Sequence, residues 1–120
     1  MNHKVRCIII DDDEGARALL RGLIAGHPDL QIIDECNGSA SGAVSIAKHK
    51  PDLIFLDINM PGLDGYEMLE VLDNFPKIIV YTGNRELKSD LFGSLIAGYL
   101  YKPVESREFF NTVVDGATKN

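Results

Sequence analysis

Two short apolar runs in this sequence end in carboxylates, and these acids are the side chains best suited to chemistry. Residues 53–56 lead into Asp57, and residues 7–10 lead into Asp11, Asp12, Asp13 and Glu14. Short apolar runs bounded by turn or helix-start residues are typical of buried strands. Carboxylates gathered at one sheet edge repel one another unless a cation or proton lies between them. Because Mg²⁺ prefers oxygen ligands, the pattern predicts a metal site.

Two further polar groups follow apolar segments later in the chain. Thr82 comes after the run 78–81, and Lys102 comes after 99–101. A carboxylate such as Asp57 can act as a nucleophile, and a lysine can pair with a phosphoryl oxygen. The Thr82 hydroxyl can donate a hydrogen bond to another oxygen. With Mg²⁺ neutralising charge, these groups together suit the formation of an aspartyl phosphate.

Strand and helix signals alternate along the whole chain. The predicted strands are 5–10, 30–33, 53–56, 78–81 and 99–101, and the predicted helices are 14–25, 39–49, 66–72, 86–94 and 106–118. Five βα units with short loops predict a parallel sheet covered by helices on both faces. Ligands bind such sheets at the carboxyl ends of the strands, where the acids, Thr82 and Lys102 all fall. In the last helix, we expect Phe109, Phe110, Val113 and Val114 to face inward.

The bulk properties narrow the class of protein. A chain of 120 residues predicts one domain, spanning 1–120, and a net charge of −6 argues against direct nucleic-acid binding. No apolar stretch approaches the roughly 18 residues of a membrane span, and no signal peptide is evident. These features, with two cysteines in apolar runs, predict a cytoplasmic protein with reduced thiols. His27 and His49 are expected at the surface.

Four motifs, in order and at characteristic spacing, make the chain resemble a response-regulator receiver domain of two-component signalling. They are Ile8 to Asp12, Phe55 to Gly65, Tyr81-Thr82-Gly83, and Tyr99 to Val104. The resemblance covers essentially all of the chain. It implies a flavodoxin-like (βα)5 doubly wound fold with strand order 2-1-3-4-5. It also implies a cis peptide bond before Pro103.

The resemblance implies that a histidine kinase or phosphotransfer protein phosphorylates Asp57, with Mg²⁺ as cofactor. The domain would catalyse only its own phosphorylation and dephosphorylation, with Asp57, Thr82 and Lys102 as its catalytic residues. The implied metal ligands are Asp11, Asp12, Asp57 and the backbone carbonyl of Asn59.

The resemblance also implies a switch in which Thr82 moves toward the phosphoryl group and Tyr99 turns inward. Phosphorylation adds about 1.5 to 2 negative charges, enough to bias a two-state surface. That surface, here called the switch face, comprises the predicted helix 86–94, the fifth strand and the last helix. Family members often use it to bind partners or to form homodimers.

Three consecutive aspartates leave the register of the metal-binding pair open. The pair Ala16-Arg17 resembles LytTR-type receivers and favours Asp11-Asp12 over the alternative Asp12-Asp13. The same likeness favours an origin in a longer DNA-binding regulator, while a free-standing receiver remains the other reading.

Three other functions fit these residues less well. A Mg²⁺-dependent aspartyl-phosphate phosphatase usually has a second acid two residues after its nucleophile, where this chain has Asn59. A receiver that works without phosphate would have no need of Asp57, Thr82 and Lys102. A flavin or nucleotide site would need a glycine-rich loop after the first strand, where acids stand instead.

Overall fold

A five-stranded parallel sheet forms the centre of the molecule, with strand order β2-β1-β3-β4-β5. The computed structural model describes residues 4–60, 62, 76–83 and 95–116. The strands are β1 (Val5–Ile10), β2 (Leu30–Cys36), β3 (Leu53–Leu56), β4 (Lys77–Thr82) and β5 (Ile96–Tyr101), and the described helices are α1 (Glu14–Ala25), α2 (Ser39–His49) and α3 (Ser106–Gly116). The predicted flavodoxin-like class and strand order are confirmed. The predicted helices 66–72 and 86–94 lie outside the described residues.

The three central strands are buried on both faces, as in parallel sheets that helices cover on each side. Side chains alternate between the faces because successive residues of a strand point in opposite directions. Cys7, Ile9 and Phe55 join one apolar cluster with residues of α1 and α3. Ile8 and Ile54 join a second cluster, which includes Ile46 of α2. The strand ends that carry the acids are therefore held rigidly from both sides.

Both edge strands are longer than predicted. β2 continues through Asp34 and Glu35 to Cys36, because these residues pair with Ile8, Ile9 and Ile10 of β1. β5 begins at Ile96 rather than Tyr99, because it pairs along β4 from Ile78 onward. Edge strands are half-exposed, so backbone pairing extends them where the apolar pattern stops.

Two predictions about side-chain burial were wrong in part. Phe109 and Val113 are buried, but Phe110 is 51% exposed and Val114 is 37% exposed. One stripe of α3 faces the sheet, and the neighbouring residue in each pair lies about 100° around the helix. His27 is buried against Phe109 and Phe110 instead of lying at the surface.

The last helix is described as far as Gly116, and residues 117 and 118 of the predicted helix 106–118 lie outside the described residues. Both cysteines are buried and free, as expected. Among the described residues, no helix is long and apolar enough to span a membrane.

Candidate functional site

The carboxyl ends of β1 and β3 place two acids side by side. Ile10 pairs with Leu56, so that Asp11 and Asp57 are the next residues on adjacent strands. The Asp57 N–H donates to the carbonyl of Ile10 at 3.0 Å, which extends the pairing by one residue. Both carboxylates are buried, at 0% and 4% exposure.

Asp11, Asp12 and Asp57 form a cluster of oxygen ligands. Each offers one carboxylate oxygen, and these oxygens all lie within 4.8 Å of one another. Asp12 is exposed to solvent, whereas the other two are buried. An all-oxygen cluster with one open side fits Mg²⁺, which keeps several waters and takes one or two carboxylates. The donor set therefore fits the implied ion.

Lys102 follows β5 and joins the two buried acids. Its ammonium donates to Oδ2 of Asp11 at 2.9 Å and to Oδ2 of Asp57 at 3.0 Å. Its backbone N–H donates to the carbonyl of Thr82 at 2.8 Å, which aligns the end of β5 with that of β4. The Lys102–Pro103 peptide bond is cis, as the resemblance implies. Burial acts to lower the pKa of Lys102, but the bonds to Asp11 and Asp57 outweigh it and raise the pKa.

The two buried acids differ in their protonation behaviour. For both, burial is the largest influence and raises the pKa. Asp11 accepts hydrogen bonds from the Asp13 N–H, Lys102 and Tyr81, and together these lower its pKa. Asp57 accepts from the Asn59 N–H and Lys102, which do not offset burial, and its pKa is raised. Asp57 is thus the acid whose negative charge is less well stabilised, because fewer donors from the described residues face it.

Asp13 has a different role from its two neighbours. Its Oδ1 accepts from the N–H groups of Gly15 and Ala16 at 2.9 and 3.3 Å, and Asp13 is the N-cap of α1. Its own N–H donates to Oδ1 of Asp11 at 3.0 Å. Asp13 therefore starts the helix and orients Asp11, which follows from the ordinary preference of aspartate for N-caps.

The remaining predicted residues lie around the same edge. Asn59 is exposed, and its N–H donates to Oδ1 of Asp57 at 2.8 Å. Thr82 is fully buried at the end of β4. Tyr99 is partly buried and packs against the second apolar cluster, which includes Val80. Thr82 and Tyr99 thus lie on the two adjacent strands β4 and β5.

Two residues at this edge were missed by the sequence reasoning. The hydroxyl of Tyr81 donates to Oδ2 of Asp11 at 2.8 Å, across the end of β3. Arg17 donates from Nη1 to the backbone carbonyl of Asp11 at 2.6 Å and lies 3.6 Å from Glu35 of β2. A tyrosine directly before Thr82, at a strand end beside acids, was a signal that could have suggested the first contact.

Comparison with known proteins assigns the chain to a family. The family model described as the response regulator receiver domain matches residues 7–114. The chain therefore belongs to the response regulator receiver domains of two-component systems.

Individual relatives agree with this assignment. An uncharacterized response regulatory protein of Shewanella oneidensis is 33% identical over 91% of this chain and 47% of its own length. The transcriptional regulatory protein BtsR of Salmonella typhimurium is 34% identical over 91% of this chain and 46% of its own length. The chain thus spans about half the length of these curated relatives.

Solved structures share the fold. The response regulator domain of Thermotoga maritima CheB matches with a TM-score of 0.79 and 19% identity, covering 98% of this chain and 99% of that domain. The N-terminal domain of an uncharacterized protein from Wolinella succinogenes matches with a TM-score of 0.71 and 29% identity, covering 93% of this chain and 92% of that domain.

Proposed function

We propose that Asp57 is the phosphoacceptor of this receiver, that a histidine kinase or phosphotransfer protein is the donor, and that the transfer depends on Mg²⁺. One observation carries the proposal. The buried carboxylate of Asp57 is part of an oxygen cluster that suits a divalent cation, and its Oδ2 accepts from the ammonium of Lys102 at 3.0 Å. Transfer of an anionic phosphoryl group requires positive charge beside the nucleophile, which Lys102 supplies here and a bound cation would add.

The metal would be held by one oxygen each from Asp11, Asp12 and Asp57, together with the backbone carbonyl of Asn59. When bound, Mg²⁺ supplies neutralisation of the negative charge on the phosphoryl oxygens. The N-cap role of Asp13 supports the pair Asp11-Asp12, because the Asp13 carboxylate already accepts from two N–H groups of α1.

The chain's own residues would carry the transfer as follows. A carboxylate oxygen of Asp57 attacks the phosphorus of a phosphohistidine, the P–N bond breaks, and the imidazole leaves with the electron pair. The Asn59 N–H, 2.8 Å from Oδ1, holds the Asp57 carboxylate in one orientation during the attack. Lys102 pairs with a phosphoryl oxygen, and the Thr82 hydroxyl donates to another.

The donor protein would dock on the apolar groove beside the site. The groove has a volume of about 360 Å³ and is lined by residues of α1 and of the segment after β5, including Ala16, Leu19, Pro103 and Val104. Leu19 is 47% exposed there although it is large and apolar. Lys102, which contacts Asp57, also lines the groove, so that a helix bound there would hold its phosphohistidine near Asp57.

Phosphorylation would then change the switch face through Thr82 and Tyr99. A phosphoryl group shifts a conformational equilibrium only by interacting differently with the two states. It must therefore attract Thr82 and Lys102 more strongly in the active state. Adding beryllofluoride, a phosphoryl mimic, with Mg²⁺ should alter hydrogen exchange in β5 and α3. Altered exchange confined to the residues next to Asp57 would contradict the switching part of the proposal.

The phosphoacceptor itself is tested by mass. Phosphoramidate and Mg²⁺ should add one phosphoryl group to the wild type and none at this site to Asp57→Asn. Asp29→Asn, which changes an exposed aspartate in the turn before β2, serves as the matched control and should be phosphorylated like the wild type. An undiminished mass gain in Asp57→Asn would overturn the assignment.

A further inference from the structure

We propose that Tyr81 is a positioning residue of the phosphoryl-transfer site, whose hydroxyl holds the Asp11 carboxylate in place when Lys102 turns to the phosphoryl group. The inference deepens the proposed function and rests on it.

The contact joins two strands that are not neighbours. Tyr81 lies on β4 and Asp11 follows β1, with β3 between them. Adjacent strands are about 4.8 Å apart, so β4 and β1 are separated by roughly 10 Å. Only a long side chain crosses that distance. The Tyr81 hydroxyl reaches Oδ2 of Asp11 at 2.8 Å, and the two residues are 1% and 0% exposed. Water does not readily substitute for a donor so deeply buried.

Among the described residues, three donors face the Asp11 carboxylate, and one of them has a second task. Its Oδ1 accepts from the Asp13 N–H at 3.0 Å, and its Oδ2 accepts from Tyr81 and from Lys102. If Lys102 pairs with a phosphoryl oxygen on Asp57, Oδ2 loses that donor. A buried charged acceptor left without a partner costs roughly 1–3 kcal/mol or more. Of the described donors to Oδ2, Tyr81 remains, so this oxygen keeps a partner when Lys102 moves.

The tyrosine ring is itself held in place. It belongs to the apolar cluster formed with Leu20, Val104 and Phe109. Lys102 Nζ lies 5.0 Å from the ring centroid, within cation–π distance. The ring therefore fixes both the hydroxyl and the starting position of the lysine. A phenylalanine here would keep the ring contacts and lose only the hydroxyl.

The first test measures Mg²⁺ binding without any phosphoryl donor. Tyr81→Phe should raise the Mg²⁺ dissociation constant about tenfold, the lower end of the loss seen when a residue orienting a metal ligand is removed. Tyr101→Phe, a tyrosine hydroxyl removed from the neighbouring strand β5, is the matched control and should leave the constant unchanged. Calorimetry measures all three proteins. An unchanged or lower constant in Tyr81→Phe would overturn the inference.

The second test separates positioning from a general structural effect. If Tyr81 acts through Asp11, its effect on Mg²⁺ affinity should vanish in an Asp11→Asn background and persist in an Asp12→Ala background. An equal loss in both backgrounds would mean a general change of the site. In the wild type, the Tyr81 hydroxyl proton should give an NMR signal that shifts on Mg²⁺ addition, and an unperturbed signal would also count against the inference.

The failure of the two proposals can be told apart. Phosphorylation of Asp57→Asn would remove the proposed function, whatever the Mg²⁺ titrations show. If Asp57 is phosphorylated normally but the effects of the Tyr81 and Asp11 substitutions on Mg²⁺ affinity are additive, only the proposed role of Tyr81 is overturned.

Discussion

The ammonium of Lys102 lies 3.0 Å from Oδ2 of Asp57, and it bridges this carboxylate to that of Asp11. The lysine thus neutralises part of the negative charge that a bound divalent cation would also neutralise. One ammonium pairs with two buried carboxylates. Its removal should therefore change both the Mg²⁺ affinity of the site and the rate of phosphorylation.

Lys102→Met should bind Mg²⁺ more tightly and be phosphorylated more slowly. Two unit charges about 4 Å apart in water interact by on the order of 1 kcal/mol. Losing the repulsion between the ammonium and the cation should therefore raise the Mg²⁺ affinity about fivefold. The rate should fall because no ammonium remains to pair with the phosphoryl oxygens. Lys4→Met, an exposed lysine beside the start of β1, is the control. Weaker Mg²⁺ binding in Lys102→Met would contradict this view of the charge balance.

Asp12→Ala and Asp13→Ala should separate metal binding from helix capping. Asp12→Ala should lose most Mg²⁺ affinity and keep its stability, because its exposed carboxylate is part of the oxygen cluster. Asp13→Ala should keep the affinity and lose about 1 kcal/mol of stability, because it removes the N-cap of α1. Calorimetry and urea unfolding measure the two effects. If Asp13→Ala lost the Mg²⁺ affinity and Asp12→Ala kept it, the metal-binding pair would be Asp12-Asp13.

Leu19→Glu should block phosphorylation by a protein donor and spare phosphorylation by phosphoramidate. The charged side chain would stand in the apolar groove, where only a macromolecular donor must dock. Val44→Glu on α2 is the matched control, since Val44 is 68% exposed and lies on a different helix. If phosphorylation by the protein donor and by phosphoramidate were slowed equally, the groove would be part of the phosphorylation site rather than a docking surface.

The stability cost of Ser45→Ala should depend on pH. Ser45 donates to Asp34, and this bond, opposed by burial and aided by the Glu35 N–H, lowers the pKa of Asp34 below its ordinary 3.8. The native state then binds this proton less tightly than the unfolded state, so the stabilisation is present above pH 3.8 and is lost as the pH falls through the native pKa.

We therefore expect Ser45→Ala to be less stable by about 1 kcal/mol near neutral pH, a modest value because Asp34 is partly exposed. The difference from the wild type should shrink as the pH falls below 3.8. Ser41→Ala, an exposed serine on the same helix, should show no such dependence. Urea unfolding at several pH values measures this, and a gap that widens in acid would be the opposite of the prediction.

Gly42→Ala and Gly22→Ala should change stability in opposite directions. A Cβ at Gly42 would lie 2.8, 3.1 and 3.3 Å from three side-chain atoms of the fully buried Ile10, whereas a Cβ at Gly22 meets nothing within 4 Å. Overpacking costs about 1–3 kcal/mol, and replacing an exposed helical glycine gains about 0.5–1 kcal/mol. Thermal unfolding compares the two. A stabilised Gly42→Ala would mean that α2 can move away from β1.

The central part of the fold could be predicted from the sequence because its signals are local. β1 and β3 are continuous apolar runs, and their predicted bounds agree with the structure. The convergence of Asp11, Asp57 and Lys102 followed from one rule, since parallel strands end at a common edge. The edge strands were placed less well because residues such as Asp34 and Gly98 extend them by backbone pairing, which leaves no apolar pattern.

The chain by itself determined the alternation of strands and helices, and the types of side chain that follow each strand. Local propensity and apolar periodicity carry that information residue by residue. Only the tertiary structure decided which donors reach Asp11. Tyr81 lies 70 residues away in sequence, and its contact depends on strand order and on a side chain crossing β3. The burial of His27 and the exposure of Phe110 were decided in the same way, because the docking of α3 beside α1 has no signature in either segment alone.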